Sequence, residues 1–229
     1  MKLLVSDYDG TFKSDIKNLY LNIEVINKFI ESGNKFVIAT GRNFDSIKSE
    51  IDKYNIPYNY LICNNGLIIF DNQNNIIFSS VIQNNNLKFI QNSLNSKQYP
   101  VIIKNYNFYC ATAEKLNILE ICAIFKNKKS AKDYKQFLES IKSNILCYQI
   151  NNRLFIGNDL SKASAISIIQ ERENISTKNI FTVGDNLNDL EMLKEFNGYK
   201  MIKSYPSMWF KNIPITREVH TLVKKIQKY

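Results

Sequence analysis

The apolar run Leu3-Leu4-Val5 passes into Ser6-Asp7-Tyr8-Asp9-Gly10-Thr11, so two carboxylates, two residues apart, stand on a turn opened by a glycine. Successive side chains of a strand point to opposite faces. Once the chain leaves the sheet at Asp7, however, both Asp7 and Asp9 can face one ligand above the strand end. The outline is that of a metal-assisted phosphoryl-transfer site, with one carboxylate placed to attack and the other to move protons. A lone Asp-x-Asp is also a common solvated turn, so the weight falls on the rest of the chain.

Three later segments each follow an apolar run and carry groups suited to a phosphate and a divalent cation. After Phe36-Val37-Ile38-Ala39 comes Thr40-Gly41-Arg42, a hydroxyl and a glycine backbone near a helix start, where free N–H groups can hold phosphate oxygens. Lys162 opens a helical pattern after Asp159-Leu160-Ser161, and its charge can offset both a carboxylate and a phosphoryl group. Ile180-Phe181-Thr182-Val183 leads into Gly184-Asp185-Asn186-Leu187-Asn188-Asp189, an acidic turn suited to a hard cation such as Mg2+. Asp185 or Asn186 can equally serve as a helix N-cap there, which does not exclude a metal.

Strand patterns near 2–6, 35–39, 60–63, 179–183 and 198–202 alternate with helical patterns near 21–32, 44–54, 162–173 and 187–195. That alternation predicts an α/β fold with a parallel sheet and helices on both faces. Ligands of such sheets bind at the carboxyl ends of the strands, where all four motifs fall. Between about 81 and 153 the pattern changes to strand runs at 100–103, 107–112, 118–125, 145–150 and 153–157, with helices near 84–95 and 131–142. This predicts an inserted α+β domain over 81–153, with 1–80 and 154–229 forming the catalytic core.

The 229 residues carry 30 Lys+Arg against 21 Asp+Glu, a net charge of +9. Only four of the basic residues are arginines, and the lysines are scattered without interleaved aromatics, so no nucleic-acid surface is expected. The positive field would instead draw small phosphorylated metabolites. Hydrophobic content of 45% is that of an ordinary globular chain. Cys63, Cys110, Cys122 and Cys147 lack metal or redox spacing and sit in apolar runs, as free thiols of a reducing compartment would. The apolar stretch before Asp7 is too short for a signal peptide or a membrane span. A cytoplasmic monomer or weak homodimer, with no membrane partner, is expected.

Taken together, Asp7-x-Asp9-Gly10-Thr11, Thr40-Gly41-Arg42, Lys162 and Gly184-Asp185-x-x-Asn188-Asp189 resemble, in order, the four motifs of the haloacid dehalogenase (HAD) superfamily. Asn64-Asn65-Gly66 is similar to the Asn-Gly turn of its class IIB, or Cof-type, members. The resemblance covers about residues 1–80 and 154–229. It implies a Rossmann-like core with a type C2 cap, the short middle segment being closer in size to the caps of sucrose-phosphatase-like and phosphomannomutase-like members.

The resemblance also implies roles. Asp7 is the nucleophile that forms an aspartyl-phosphate; Asp9 is the general acid and then the base; Lys162 and Mg2+ offset the developing charge. Asp7, the Asp9 main-chain carbonyl and Asp185 are the implied metal ligands. Thr40, Gly41 and Asn188 hold phosphate oxygens, Asp189 orients Lys162 or a metal-bound water, and Arg42 braces the site from behind. The expected activity is a Mg2+-dependent phosphatase acting on a sugar phosphate or phosphoglycolate-like ester. A phosphosugar mutase with the same nucleophile and a non-catalytic binding protein are the alternatives. Tyr106, Phe108, Tyr109 and the strand Leu119–Phe125 are candidates to face the cleft, although such residues in strands are more often core. Tyr199–Pro206 departs from the small-residue stretch typical of Cof-type chains, and the single histidine, His220, reads as part of a terminal amphipathic helix.

Overall fold

The computed structural model describes residues 1–95, 101–112, 115–141, 145–209 and 211–227, with side chains for all of these except 101–112, 115 and 116. Two compact units emerge, Met1–Phe78 with Ser161–Tyr229, and Ser79–Leu160.

In the first unit the acidic strand is central. β1 (Leu3–Ser6) lies parallel between β2 (Lys35–Ala39) and β10 (Ile180–Gly184), so the residues following all three strands emerge on one edge. β3 (Tyr60–Cys63) continues the parallel sheet beyond β2, and β11 (Asn197–Met201) and β12 (Ile215–Thr216) continue it beyond β10. β4 (Ile68–Asp71) turns back antiparallel to β3, and β5 (Ile76–Ser79) completes an eight-stranded order β12-β11-β10-β1-β2-β3-β4-β5. The short strands β4, β5 and β12 are additions to the five expected. Their four-residue and two-residue lengths give too little periodicity to separate a strand from a loop.

Alternation along the strands builds two cores. Leu3, Val5, Val37, Ala39 and Ile62 cluster with Ala163, Ile166 and Ile169 of α5 (Lys162–Glu173) and Met192 of α6 (Leu190–Glu195). Leu4, Phe36 and Ile38 alternate to the opposite face and are fully buried there, on the side of α1 (Ile16–Glu31) and α7 (Val219–Ile226), which pack on one another. Each such burial contributes about 1.5–3 kcal/mol. α1 begins earlier than the hydrophobic period alone suggests, because Asp15 caps it by accepting a hydrogen bond from the Asn18 amide at 2.8 Å. α2 (Phe44–Tyr54) is capped in the same way by Asn43 and stops at Asn55 in a left-handed conformation. Among the described residues no helix is long and apolar enough to cross a membrane.

The second unit comprises α3 (Asn84–Leu94), β6 (Val101–Thr112), β7 (Lys115–Phe125), α4 (Lys128–Ile141), β8 (Ile145–Ile150) and β9 (Arg153–Asn158). Its antiparallel sheet runs β6-β7-β9-β8. The runs at 100–103, whose first residue lies outside the described residues, and 107–112 belong to the one strand Val101–Thr112, interrupted by register shifts near Val101–Ile103, Asn107–Phe108 and Cys110–Thr112 rather than by a turn. Ile121, Ala123 and Phe125 of β7 face Ile90 and Leu94 of α3 and Ala131, Tyr134 and Leu138 of α4. These β7 residues are core, as aromatic and β-branched residues in strands more often are, and not cleft-facing. The side chains of Tyr106, Phe108, Tyr109 and Cys110 lie outside the described residues. The boundary drawn at 153/154 also shifts: β9 is hydrogen-bonded to β7 and β8, so residues 154–160 belong to this unit and the chain leaves it after Leu160.

Candidate active site

Asp7 is the first residue past β1, and its amide still donates to the Val183 carbonyl at 2.9 Å, which fixes the backbone as it leaves the sheet. The Lys162 ammonium reaches it from the first turn of α5, where Ser161 and Ser164 form a capping box. Lys162 Nζ lies 2.7 Å from Asp7 Oδ1 and 2.6 Å from Asp189 Oδ1. A cation is unfavourable at a helix N-terminus, so these two carboxylates are what hold Lys162 there. All three groups are buried.

Asp189 has spent its other oxygen. Oδ2 accepts from the Asp185 and Asn186 amides at 3.0 and 3.1 Å, which closes the acidic turn on itself. Asp185 is oriented by the Thr11 hydroxyl, which donates to Oδ1 at 3.1 Å. Gly10 makes room for it. A Cβ at Gly10 would meet Asp185 Oδ2 at 2.6 Å, and the φ of +83° there is one that other residues rarely adopt.

Asp7, Asp185 and Asp189 each bring a carboxylate oxygen within 4.8 Å of the others. Three carboxylates around one ammonium leave an excess of negative charge in a dry setting. Burial pushes the Asp7 carboxyl up to about 8, with Asp189 and Asp185 adding to the rise and Lys162 opposing it. Burial and the Asp189 charge push Asp185 up to about 6. Burial works against the Lys162 charge, but Asp189 and Asp7 outweigh it and raise the group above the ordinary lysine range. Carboxylate oxygens of Asp7 and Asp185 lie within 4.8 Å of each other, where a divalent ion would satisfy both. Asp189 is committed to Lys162 and the turn. The oxygens of Asp7 and Asp185 left over by Lys162 and Thr11 therefore fit a hard cation.

Asp9 is not part of that cluster. Its half-exposed carboxylate takes two hydrogen bonds from Arg42, at 2.7 Å from Nε and 2.6 Å from Nη2. Arg42 in turn lies over the Tyr8 ring, 5.4 Å from its centroid, and Tyr8 donates to Glu50 at 2.9 Å, which also pairs with Lys13. Sequence reasoning missed Tyr8, Lys13 and Glu50; a buried tyrosine inside the acidic motif was the available signal.

Thr40 is buried at the end of β2. Its hydroxyl oxygen accepts from the Arg42 amide at 3.1 Å, which leaves the hydroxyl proton free to donate. Gly41 follows it. Asn188 is exposed and donates from Nδ2 to Asn65 Oδ1 at 3.0 Å. The ends of β1 and β10 and the start of α5 thus bring Asp7, Asp185, Asp189 and Lys162 into one cluster. Asp9 with Arg42 forms a separate pair.

A family model for haloacid dehalogenase-like hydrolases matches residues 4–116 and 104–207. The chain belongs to that family. An uncharacterized protein of Mycoplasma capricolum is 28% identical over 85% of this chain and 88% of its own length. The 5-amino-6-(5-phospho-D-ribitylamino)uracil phosphatase YcsE of Bacillus subtilis is 23% identical over 85% of this chain and 81% of its own. In fold, the haloacid dehalogenase-like chain resembles BT1666 of Bacteroides thetaiotaomicron, described among phosphatases of this superfamily. The TM-score is 0.78 at 19% identity, over 100% of this chain and 94% of that one.

Proposed function

We propose that the protein is a Mg2+-dependent phosphatase that hydrolyses a small phosphomonoester through an aspartyl-phosphate on Asp7. The observation that carries this reading is the buried contact of Asp7 with Lys162, beside Asp185. A carboxylate held by a single ammonium, with one oxygen unspent, has what in-line attack on phosphorus requires. A merely structural ion pair would leave no reason for the further buried acid Asp185 beside Asp7.

Asp7 attacks phosphorus and the ester oxygen departs; Asp9, protonated at an oxygen released by Arg42, gives the departing oxygen that proton. Asp9 then takes a proton from the water that cleaves the aspartyl-phosphate, and inorganic phosphate is released. Lys162 neutralises Asp7 and the phosphoryl oxygens, while the Thr40 hydroxyl, the Gly41 backbone and Asn188 hold those oxygens in place. Asp7, the Asp9 main-chain carbonyl and Asp185 would hold Mg2+, which supplies further charge compensation when bound. Asp189 fixes Lys162, and Arg42 fixes Asp9.

The named substrate of the Bacillus subtilis relative is a phosphomonoester on a ribityl chain, which supports a sugar or polyol phosphate as the substrate class. Three described cysteines, Cys63, Cys122 and Cys147, are buried and free, in keeping with a reducing cytoplasm. The deciding experiment is p-nitrophenyl phosphate hydrolysis by the wild type and Asp7→Asn, each with Mg2+ and with EDTA. Turnover confined to the wild type with Mg2+ is expected. Equal turnover in the variant would overturn the reading.

A further inference from the structure

The turn Asn64–Gly66 joins three of the loops that carry the site. The Asn65 amide donates to the Thr40 carbonyl at 3.0 Å, and the Asn64 amide to the Arg42 carbonyl at 2.9 Å. Gly66 lies against the Ser161 carbonyl, so closely that a Cβ there would sit 2.2 Å from it, immediately before Lys162. The Asn65 side chain completes the connection, since its Oδ1 accepts from Asn188.

The position of that carboxamide is specific and comes at a cost. A Cβ on Gly41 would lie 3.1 Å from Asn65 Oδ1 and 3.2 Å from Nδ2, so the amide rests on the bare Cα of Gly41. Its Nδ2 is buried with no hydrogen-bond partner among the described residues, as is that of Asn64. Asn65 also holds φ at +54°, a conformation that glycine adopts more easily. Asn64 shares the unsatisfied donor and the left-handed backbone; what sets Asn65 apart is the seat of its carboxamide on Gly41 and its bond to Asn188.

We infer that Asn65 is a positioning residue of the phosphate pocket: its carboxamide sets the Thr40–Gly41 loop and the Asn188 side chain in one register. This rests on the phosphoryl-transfer reading above. Asn65 acts through Asn188 and the Gly41 backbone and does not itself touch the reacting atoms. Asn188 is exposed and bonded to nothing else among the described residues, so its aim depends on Asn65 Oδ1.

The test is Asn65→Gly, which keeps the left-handed backbone and removes the carboxamide with its unsatisfied donor. Thermal stability should stay level or rise. KM for p-nitrophenyl phosphate and the Ki of inorganic phosphate should both rise about tenfold, with kcat changed less than about threefold. Combining it with Asn188→Ala should cost less than the sum of the two single losses, because the two side chains share one contact and only the part carried by the Gly41 backbone is added. Phosphate affinity is also read directly, by calorimetry with Mg2+ present, in wild type and Asn65→Gly. If Asp7→Asn retains turnover while phosphate affinity still drops in Asn65→Gly, the mechanism fails and the positioning role survives. If Asp7→Asn is dead but Asn65→Gly keeps wild-type KM and phosphate affinity, the positioning role alone fails. Fully additive losses in the double variant, or an Asn65→Gly chain that no longer folds, would equally overturn it by making Asn65 independent of Asn188 or merely structural.

Discussion

Arg42 grips both oxygens of Asp9 with two nitrogens of its guanidinium, at 2.6 and 2.7 Å. The pair is half exposed, so solvent screens it and it adds little to stability. What the fork provides is direction: a two-point contact fixes the plane of the carboxylate, and the Tyr8 ring beneath Arg42 fixes the guanidinium. Asp9 is therefore aimed by a chain of contacts that runs through Tyr8 to Glu50.

Loss of this aim should depend on the leaving group. Arg42→Ala is expected to lower kcat on an alkyl phosphate by about 10- to 100-fold, within the range of general-acid contributions. With p-nitrophenyl phosphate the loss should stay under about threefold, because p-nitrophenolate departs without a proton. Arg42→Lys, which keeps charge but loses the fork, should fall between. Equal losses on the two esters would show that Arg42 serves substrate binding instead.

The acid cluster predicts how stability responds to pH and metal. Asp7 rises from the usual 3.8 to about 8, and Asp185 from 3.8 to about 6. In those windows the folded chain holds protons that the unfolded chain has released. Metal-free stability should therefore fall as pH rises, from about 4 to 6 through both groups and from 6 to 8 through Asp7. Mg2+ competes with the same protons, so its stabilising effect should grow in the opposite direction. Melting curves at pH 6, 7 and 8, with EDTA and with Mg2+, read both trends. A Mg2+ increment that is flat across this range would contradict the placement of the ion at Asp7 and Asp185.

Asp7→Asn separates catalysis from folding. It removes one of three clustered carboxylates without changing volume and leaves Lys162 paired to Asp189. Turnover should vanish, while the metal-free variant at pH 8 should melt at or above the wild-type temperature, since a buried charge has been removed. A destabilised variant would mean that the Asp7–Lys162 contact is worth more than its desolvation cost.

Lys162→Met should do the reverse. It strands Asp7 and Asp189 without their cation, and breaking a buried pair from one side costs about 3–5 kcal/mol. Asp7, already raised by burial, can take up a proton, so the loss should be smaller at pH 5 than at pH 8. Denaturant unfolding at the two pH values measures this. A pH-independent loss would point to lost packing rather than charge.

Much of this arrangement was legible because a parallel sheet leaves few choices. An apolar run ending in Asp7, Thr40 or Asp185 is a strand whose next residue lies on the binding edge, whatever the rest of the chain does. The start of α1 and the short strands β4, β5 and β12 were harder, since caps and edge pairing decide them and neither produces a hydrophobic period. Asn65 stood out only as part of an Asn-Gly turn, and its contacts, like Glu50 itself, were invisible for another reason. Their roles rest on contacts with Asn188 and Tyr8, 123 and 42 residues away in the chain, and one polar residue in a turn or on a helix carries no mark of its partner. The second boundary, set at 153/154, cuts through a strand that the pattern itself groups with the inserted domain, and the pairing of β9 with β7 and β8 keeps it whole there.

The segment that departs from the Cof-type pattern has a staple of its own. Lys200 is buried, and its ammonium donates to the carbonyls of Met208, Trp209 and Lys211 at 3.1, 3.2 and 2.6 Å. It holds a loop that begins at Tyr205, whose amide donates to the Asp185 carbonyl at 2.9 Å. Lys200→Met keeps the aliphatic stem but abandons the three carbonyls, at a cost of about 1–3 kcal/mol. For a chain of this length that corresponds to a melting temperature lower by roughly 2–12 °C. The same slackening should reach Asp185 through Tyr205. The Mg2+ concentration for half-maximal activity should rise several-fold, with kcat recovering at saturating Mg2+, because Asp7 and Lys162 are untouched. If Lys200→Met melts lower but keeps the wild-type Mg2+ requirement, the staple supports the loop alone and the turn around Asp185 is held by Thr11 and Asp189.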